Sequence, residues 1–323
     1  MWKFPLLQMQ VYSDMILKCA EKGKNSKMNL HCIKILIFLL LTGSVSGISA
    51  QSFYLELKHK DENARKAYFA QKIHRFWGKN VYRSAPDRYH GLLVLKNKKI
   101  TFAFDIRGKY KDGKASCVNI GMVRPCGLNW YAGGFFQAFC GKENLINGDF
   151  TVLKIYQGSD LSYALLQFKG KNHTSTLRMT LAEADDKLLL EFTSGIKNRP
   201  CEIRLIAYPG EYGSAEKRQR RIVTCKGEYS QHKELGKEEF WGLFFDSYYD
   251  RAKKRGRGCC AFVYNPQETL SAQVEISYPC TAIFRYKGDQ KAHLVLWDFL
   301  YWPSRDAITY MKQLKVSFDP KQK

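Results

Sequence analysis

Strict two-residue alternation of apolar and polar side chains constrains this chain more than any other feature. Ser175–Leu181 (STLRMTL) sets Leu177, Met179 and Leu181 against Arg178 and Thr180. Residues two apart on an extended chain share a face, so such a run is a half-buried strand. Gln273–Tyr278 repeats the pattern, with Val274, Ile276 and Tyr278 against Gln273, Glu275 and Ser277. Compact turn clusters separate the runs: Lys96–Lys99, Gly170–His173, Ala184–Lys187 and Gly288-Asp289. Short strands at regular spacing with turns between them predict an all-β fold, here a large antiparallel β-sandwich with one or two short helices. The helical segments are Asp61–Trp77, with Phe69, Ile73 and Phe76 in a stripe, and Arg305–Leu314, with Ile308, Met311 and Leu314. Ser304 is the expected N-cap of the second, and Leu314–Phe318 is expected to close as a last strand.

One strand departs from alternation. Phe240–Phe245 (FWGLFF) is apolar on both faces, as a central strand covered on both sides must be. Polar groups return at Asp246, so Asp246–Arg257 is expected at a sheet edge or loop mouth.

The N-terminus reads differently from the rest. Met28–Gln51 (MNLHCIKILIFLLLTGSVSGISAQ) has a short basic start, an apolar run over Ile35–Leu41 and small residues before Gln51. That is the layout of a secretory signal peptide with cleavage after Ala50. The apolar run is far shorter than the roughly 20 residues a membrane span needs. Residues 1–27 read as a mis-assigned leader with translation starting at Met28, residues 28–50 as the signal peptide, and 51–323 as a single β-sandwich domain. The expected location is periplasmic or secreted, with no transmembrane anchor after signal cleavage. Eight of the ten cysteines follow residue 50. An even number in an exported chain permits disulfides, but eight thiols allow about a hundred connectivities, so the pairing is not legible.

Net charge is +22 over the whole chain and about +18 after residue 50, where 46 Lys and Arg face 28 Asp and Glu. A surface of that sign attracts anionic partners. For an exported protein those are anionic polysaccharide or a cell-envelope polymer, with no specific nucleic acid implied. The arginines Arg218, Arg220 and Arg221, and further on Arg255 and Arg257, form the cationic set. Tyr248, Tyr249, Asp250, Trp297, Tyr301 and Trp302 are the candidates for ring stacking on sugars and for fixing hydroxyls.

Catalytic signatures are missing from the sequence. It has no HExxH, GxSxG, Walker loop or GxGxxG, no CxxC pair, and only scattered histidines, so no cofactor and no metal are expected. Glycan cleavage commonly uses two carboxylates. Asp246 and Asp298, the latter inside LVLWDFLYW, are the candidate acids, because an acid buried among aromatic rings has a raised pKa.

The segments Arg204–Gly210 (RLIAYPG), Arg220–Thr224 (RRIVT), Phe240–Asp250 and Gly258–Tyr264 (GCCAFVY) resemble an uncharacterised family of exported bacterial all-β proteins. In strand number and size the chain loosely resembles galactose-mutarotase-like supersandwich proteins. The resemblance implies export and an all-β fold, and carries no activity over residue by residue. Three functions follow: an exported binder of anionic carbohydrate or envelope polymer, a polysaccharide-active lyase, hydrolase or epimerase on the same fold, or a structural or assembly protein.

Overall fold

The computed structural model describes residues 51–56, 88–111, 114–211 and 217–315. One antiparallel ladder runs through β1 (Gln51–Glu56), β2 (Arg88–Lys96), β3 (Thr101–Lys111) and β4 (Lys114–Arg124). It continues through β7 (Gly148–Gln157), β8 (Leu161–Lys169), β9 (Thr174–Ala182) and β10 (Leu188–Thr193). Its far end is β19 (Lys291–Phe299), β16 (Cys259–Tyr264), β15 (Trp241–Asp246), β12 (Arg220–Val223) and short β13 (Glu228–Tyr229). A second ladder orders β14 (Lys233–Leu235), β17 (Thr269–Glu275), β18 (Cys280–Lys287), β11 (Pro200–Ala207) and β5 (Phe136–Cys140). The two-residue β6 (Glu143–Asn144) closes a hairpin on β5.

The antiparallel all-β class therefore stands, and the strand pairing does not divide into two separate facing sheets. β4 pairs with β7 at Ser116 and Cys117 and with β5 at Ile120, so the two ladders join into one hydrogen-bonded assembly. An 11-residue strand is roughly 36 Å long, enough to serve two neighbours in succession. The joined ladders curl around one core. Leu93, Phe104, Phe136, Phe192, Phe262 and Phe284, from strands of both ladders, belong to a single buried cluster.

Local patterning explains the elements. In β9, Leu177, Met179 and Leu181 are wholly buried, as the alternation requires. β17 stops at Glu275, short of the predicted Tyr278, where the chain turns through a cis Tyr278–Pro279 bond. Three of the turn clusters are hairpin turns between paired strands, while Gly288-Asp289 carries the chain from β18 in the second ladder to β19 in the first. At the first turn Asn97 Oδ1 accepts the N–H groups of Lys99 and Ile100 at 2.9 and 2.8 Å. β15 is buried along its whole length. Phe244 faces the main core, whereas Trp241, Leu243 and Phe245 face a second apolar cluster.

That second cluster lies under α1 (Ser304–Gln313), the single α-helix among the described residues. Ala307 and Met311 are its buried residues on the apolar stripe, with Ile308 and Leu314 packed beside them. Its N-cap is Pro303 and not Ser304, whose hydroxyl is held by Asp250. The helix expected over 61–77 and the closing strand beyond Lys315 lie outside the described residues, as do the leader and signal segments.

Candidate ligand-binding cleft

At the start of β12 the chain places Arg218, Gln219, Arg220 and Arg221 along one side of a cleft of about 380 Å³. Ser230, Ile276, Ser277 and Tyr278 line the other side. Alternation sends Arg220 inward. It is 6% exposed, Nη1 donates to Ser277 O at 3.3 Å, and Nε lies 3.8 Å from Asp246 Oδ2. Nε and Nη2 have no hydrogen-bond partner in the protein. A guanidinium desolvated this far, facing one carboxylate without a hydrogen bond to it, carries its charge at the floor of the cleft.

Aromatic rings complete the wall. The Arg218 guanidinium stacks 4.0 Å from the Tyr278 ring centre, and Arg220 lies 4.8 Å from Tyr278 and 5.2 Å from Tyr208. Tyr208 continues the contact chain, edge-on to Tyr278 at 4.7 Å and to Tyr131 at 4.6 Å. Burial and the neighbouring Tyr131 and Tyr278 push the Tyr208 hydroxyl above its ordinary pKa, against the pull of Arg220 and Arg218, so it keeps its proton at neutral pH. Tyr278 is 44% exposed, with both arginines packed against its ring.

The acids foreseen from the sequence sit beneath this wall. Asp246 is wholly buried. Its Oδ1 accepts the N–H groups of Gln219, Tyr248 and Tyr249 at 3.2, 2.9 and 3.3 Å. It thereby fixes the turn after β15 and the approach to β12 together. Asp250 is also buried: it accepts from Ala252 N, capping a short 3₁₀ turn (Arg251–Lys253), and from Ser304 N and Oγ, anchoring α1. Backbone N–H groups at a turn and at a helix start need acceptors, and these two carboxylates supply them.

Asp298 lies opposite Cys260 in the ladder and is 7% exposed. Asn129 Nδ2 donates to its Oδ1 at 2.7 Å, whereas Oδ2 has no partner. Burial raises the carboxyl from 3.8 to about 8, only partly offset by the Asn129 amide and the Cys126 N–H. Asp298 is thus a protonated acid at neutral pH. The Cys260 thiol neighbours Asp298 and Cys280, and the Cys280 thiol contacts the Arg220 guanidinium. Asp298 is thus set back from Arg220 by two buried thiols of the main core.

The other sequence candidates are divided. Tyr248 and Tyr249 pack edge-on at 4.8 Å, with Arg255 over the Tyr248 ring at 5.0 Å, all exposed or half-buried on the loop after β15. That loop is pinned to the Tyr208–Gly210 turn by the Arg257 N–H donating to Gly210 O. Gly256, at φ +71°, sits so close that a Cβ would lie 2.1 Å from Tyr249 O. Trp297 is buried beneath Tyr310 of α1, with Nε1 unpartnered. Trp302 is 38% exposed and leans on Phe299 and Tyr310, apart from the cleft residues. Tyr301 is 77% exposed.

Tyr131, Tyr208 and Tyr278 were not singled out as site residues. The Tyr-Pro pairs at 208–209 and 278–279 mark turns, which is the only trace the sequence carries. Among the described residues no group of three or more His, Cys, Asp or Glu is placed to hold a metal ion. No helix among them is long and apolar enough to cross a membrane.

No protein-family model and no curated protein matches the chain. Among solved structures, HI1317 is similar at 10% identity and a TM-score of 0.40, over 67% of this chain and 97% of that one. A GH36 α-galactosidase from Geobacillus stearothermophilus shares 10% identity at a TM-score of 0.34, over 65% of this chain and 40% of its own. Chondroitinase AC lyase shares 9% at 0.33, over 78% of this chain and 43% of its own. The chain spans under half of the length of the two enzymes. None of these likenesses places a residue of the cleft.

Proposed function

We propose that this protein is exported and holds an acidic polysaccharide or anionic envelope polymer, with a carboxylate or sulfate seated at the Arg218–Arg221 cleft. The observation that carries this is the convergence of Arg218, Arg220 and Arg221 on one cleft, with Arg220 buried at its floor and Arg218 stacked on the half-exposed Tyr278 ring. An arginine fork meets a carboxylate or sulfate in two parallel hydrogen bonds, and the exposed edge of the Tyr278 ring lies beside that anion for the sugar to pack on. Tyr248, Tyr249 and Arg255, across the Tyr208–Gly210 turn, extend the surface for neighbouring sugar units. Arg257 and Asp250 fix that loop, through Gly210 O and through the 3₁₀ turn and α1, while Trp297 and Trp302 pack on α1 away from it.

The test is retention of the purified chain on chondroitin sulfate and on polygalacturonate, with neutral dextran as control, over a salt series. Retention should weaken steeply with salt, since charges are screened within about 8 Å at physiological ionic strength. Arg218→Ala with Arg221→Ala should lower affinity at least tenfold. Equal retention of the double variant, or equal retention on dextran, would overturn the reading.

A second reading, turnover of the bound polysaccharide, is favoured by Asp298. A carboxyl that burial keeps protonated has the state a general acid needs. Release of reducing ends or of unsaturated uronic products from the same polymers, abolished in Asp298→Asn, is the expected sign of an enzyme. Unchanged polymer length after prolonged incubation would leave binding alone.

A further inference from the structure

The β5–β11 pairing sets two thiols face to face. Its register puts Phe139 opposite Glu202, and one step further puts Cys140 opposite Cys201, both still within their strands. Directly opposed residues of an antiparallel pair point to the same face. The Ile206 N–H donates to Phe135 O, so hydrogen-bonded pairs fall at every second step from there and Cys140/Cys201 is a non-hydrogen-bonded pair. In such pairs the Cα atoms are about 4.5 Å apart, inside the roughly 4.4–6.8 Å window of a disulfide. The two side chains are each 2% exposed, and the thiols interact with one another. Cys140 Sγ otherwise contacts Pro200 O at 3.7 Å and Cys201 Sγ contacts Arg199 O at 3.9 Å.

From this register we infer that Cys140 and Cys201 form a cross-strand disulfide when the protein matures in an oxidising compartment. The inference is independent of the glycan reading. The oxidant is a small-molecule or protein disulfide. One cysteine thiolate attacks it, forming a mixed disulfide and releasing one donor thiol. The second cysteine then displaces the other donor thiol. Two protons and two electrons leave the pair, and the donor disulfide is reduced to two thiols. Because both sulfurs are buried in the folded protein, the bond forms as β5 and β11 pair and before the core closes over them, and once formed it resists reduction. It would close a loop of about 60 residues, linking the two strands that carry the second ladder away from β4, a length at which cross-links stabilise measurably. Cys117, Cys126, Cys259, Cys260 and Cys280 are held as buried thiols on other strands and loops, and Cys225 is exposed.

The test refolds the reduced full chain in a reduced/oxidised glutathione mixture and alkylates remaining thiols. It then maps peptides without reduction, using a combined tryptic and chymotryptic digest that separates Cys140 from Cys117 and Cys126. The expected result is one linked peptide pair containing Cys140 and Cys201, with the other cysteines alkylated. In parallel, the Tm of the oxidised wild type should exceed that of the fully reduced protein by several degrees. The Cys140→Ser/Cys201→Ser variant should show no such difference. Alkylation of both cysteines, or linkage of either to a different cysteine, would overturn the inference even if the double variant failed to fold.

Discussion

Asp298→Asn tests whether a buried acid keeps its proton in the folded protein. In the unfolded chain the carboxyl titrates near 3.8, and in the folded protein burial moves it to about 8. Between those values the folded state binds one more proton than the unfolded state. Stability therefore falls as pH rises, by about 1.4 kcal/mol per pH unit, and levels off above about pH 8. Integrated over the interval, the loss is at most roughly 6 kcal/mol, a large share of the ~5–15 kcal/mol that holds a typical domain. Neighbouring groups do not titrate in this window. Burial pushes Cys126 up to about 12 and Cys259 and Cys260 well above their ordinary value. Asparagine preserves the acceptor for Asn129 and cannot ionise. Any constant penalty from its extra N–H groups shifts the whole curve and leaves the slope untouched. Urea unfolding from about pH 5 to pH 8 should show wild-type stability falling by roughly 3–4 kcal/mol more than that of the variant. Parallel curves for the two proteins across that range would refute a proton held on Asp298.

Glu239 titrates in the opposite sense. Burial would raise its pKa, but the Thr224 hydroxyl at 2.6 Å, the Gly236 N–H at 2.9 Å and Lys233 hold it below the ordinary 4.5. Its contribution is therefore present above about pH 4.5 and lost as pH falls through the depressed folded value. Glu239→Gln should unfold less steeply with acid and be less stable at pH 7 by about 1.5–3 kcal/mol, read by denaturation. Gly242→Ala places a Cβ 2.5 Å from Phe262 Cζ and 2.8 Å from Ile222 Cδ1, so overpacking should lower stability by about 1–3 kcal/mol. A lowering of Tm by several degrees in a thermal melt checks it, and an unchanged Tm would mean the sheet gives way freely at β15.

Where the sequence was legible, the reason is local. Leu177, Met179 and Leu181 bury because one face of β9 meets the core, and Met311 buries because a helical stripe meets β15 and β19. The doubly apolar Phe240–Phe245 likewise announced a strand with clusters on both sides. Asp246 and Asp250 misled because an acid that follows an apolar strand reads as surface, yet both are buried where backbone donors of turns and of α1 had to be satisfied. The cleft itself is non-local. Tyr208, Arg218 and Tyr278 meet only because β11 pairs with β18 and β12 with β15, and the fork at β4 that joins the ladders leaves no mark in composition. The same holds for Cys140 and Cys201, whose opposition exists only once the β5–β11 register is set.

The Arg220–Asp246 pair shows why charge lies buried at this end of an otherwise apolar core. Taking both ions out of water costs several kcal/mol each, and a 3.8 Å contact without a hydrogen bond between them repays it poorly. Apolar packing would hold the fold at least as well, so the pair's position beneath the cleft points to ligand recognition as its use. A double-mutant cycle separates the two roles. Arg220→Met alone leaves Asp246 charged and buried without a cation, and should cost about 3–5 kcal/mol. Asp246→Asn keeps an oxygen for the Gln219, Tyr248 and Tyr249 N–H groups while removing the charge. The double variant should therefore recover most of that loss, a coupling of about 2 kcal/mol or more by urea unfolding, and yet lose salt-sensitive retention on acidic polysaccharide. Simple additivity of the two substitutions would mean the pair does not interact as an ion pair. Full recovery of stability with retention intact would remove Arg220 from the binding surface and leave Arg218, Arg221 and Tyr278 to carry it.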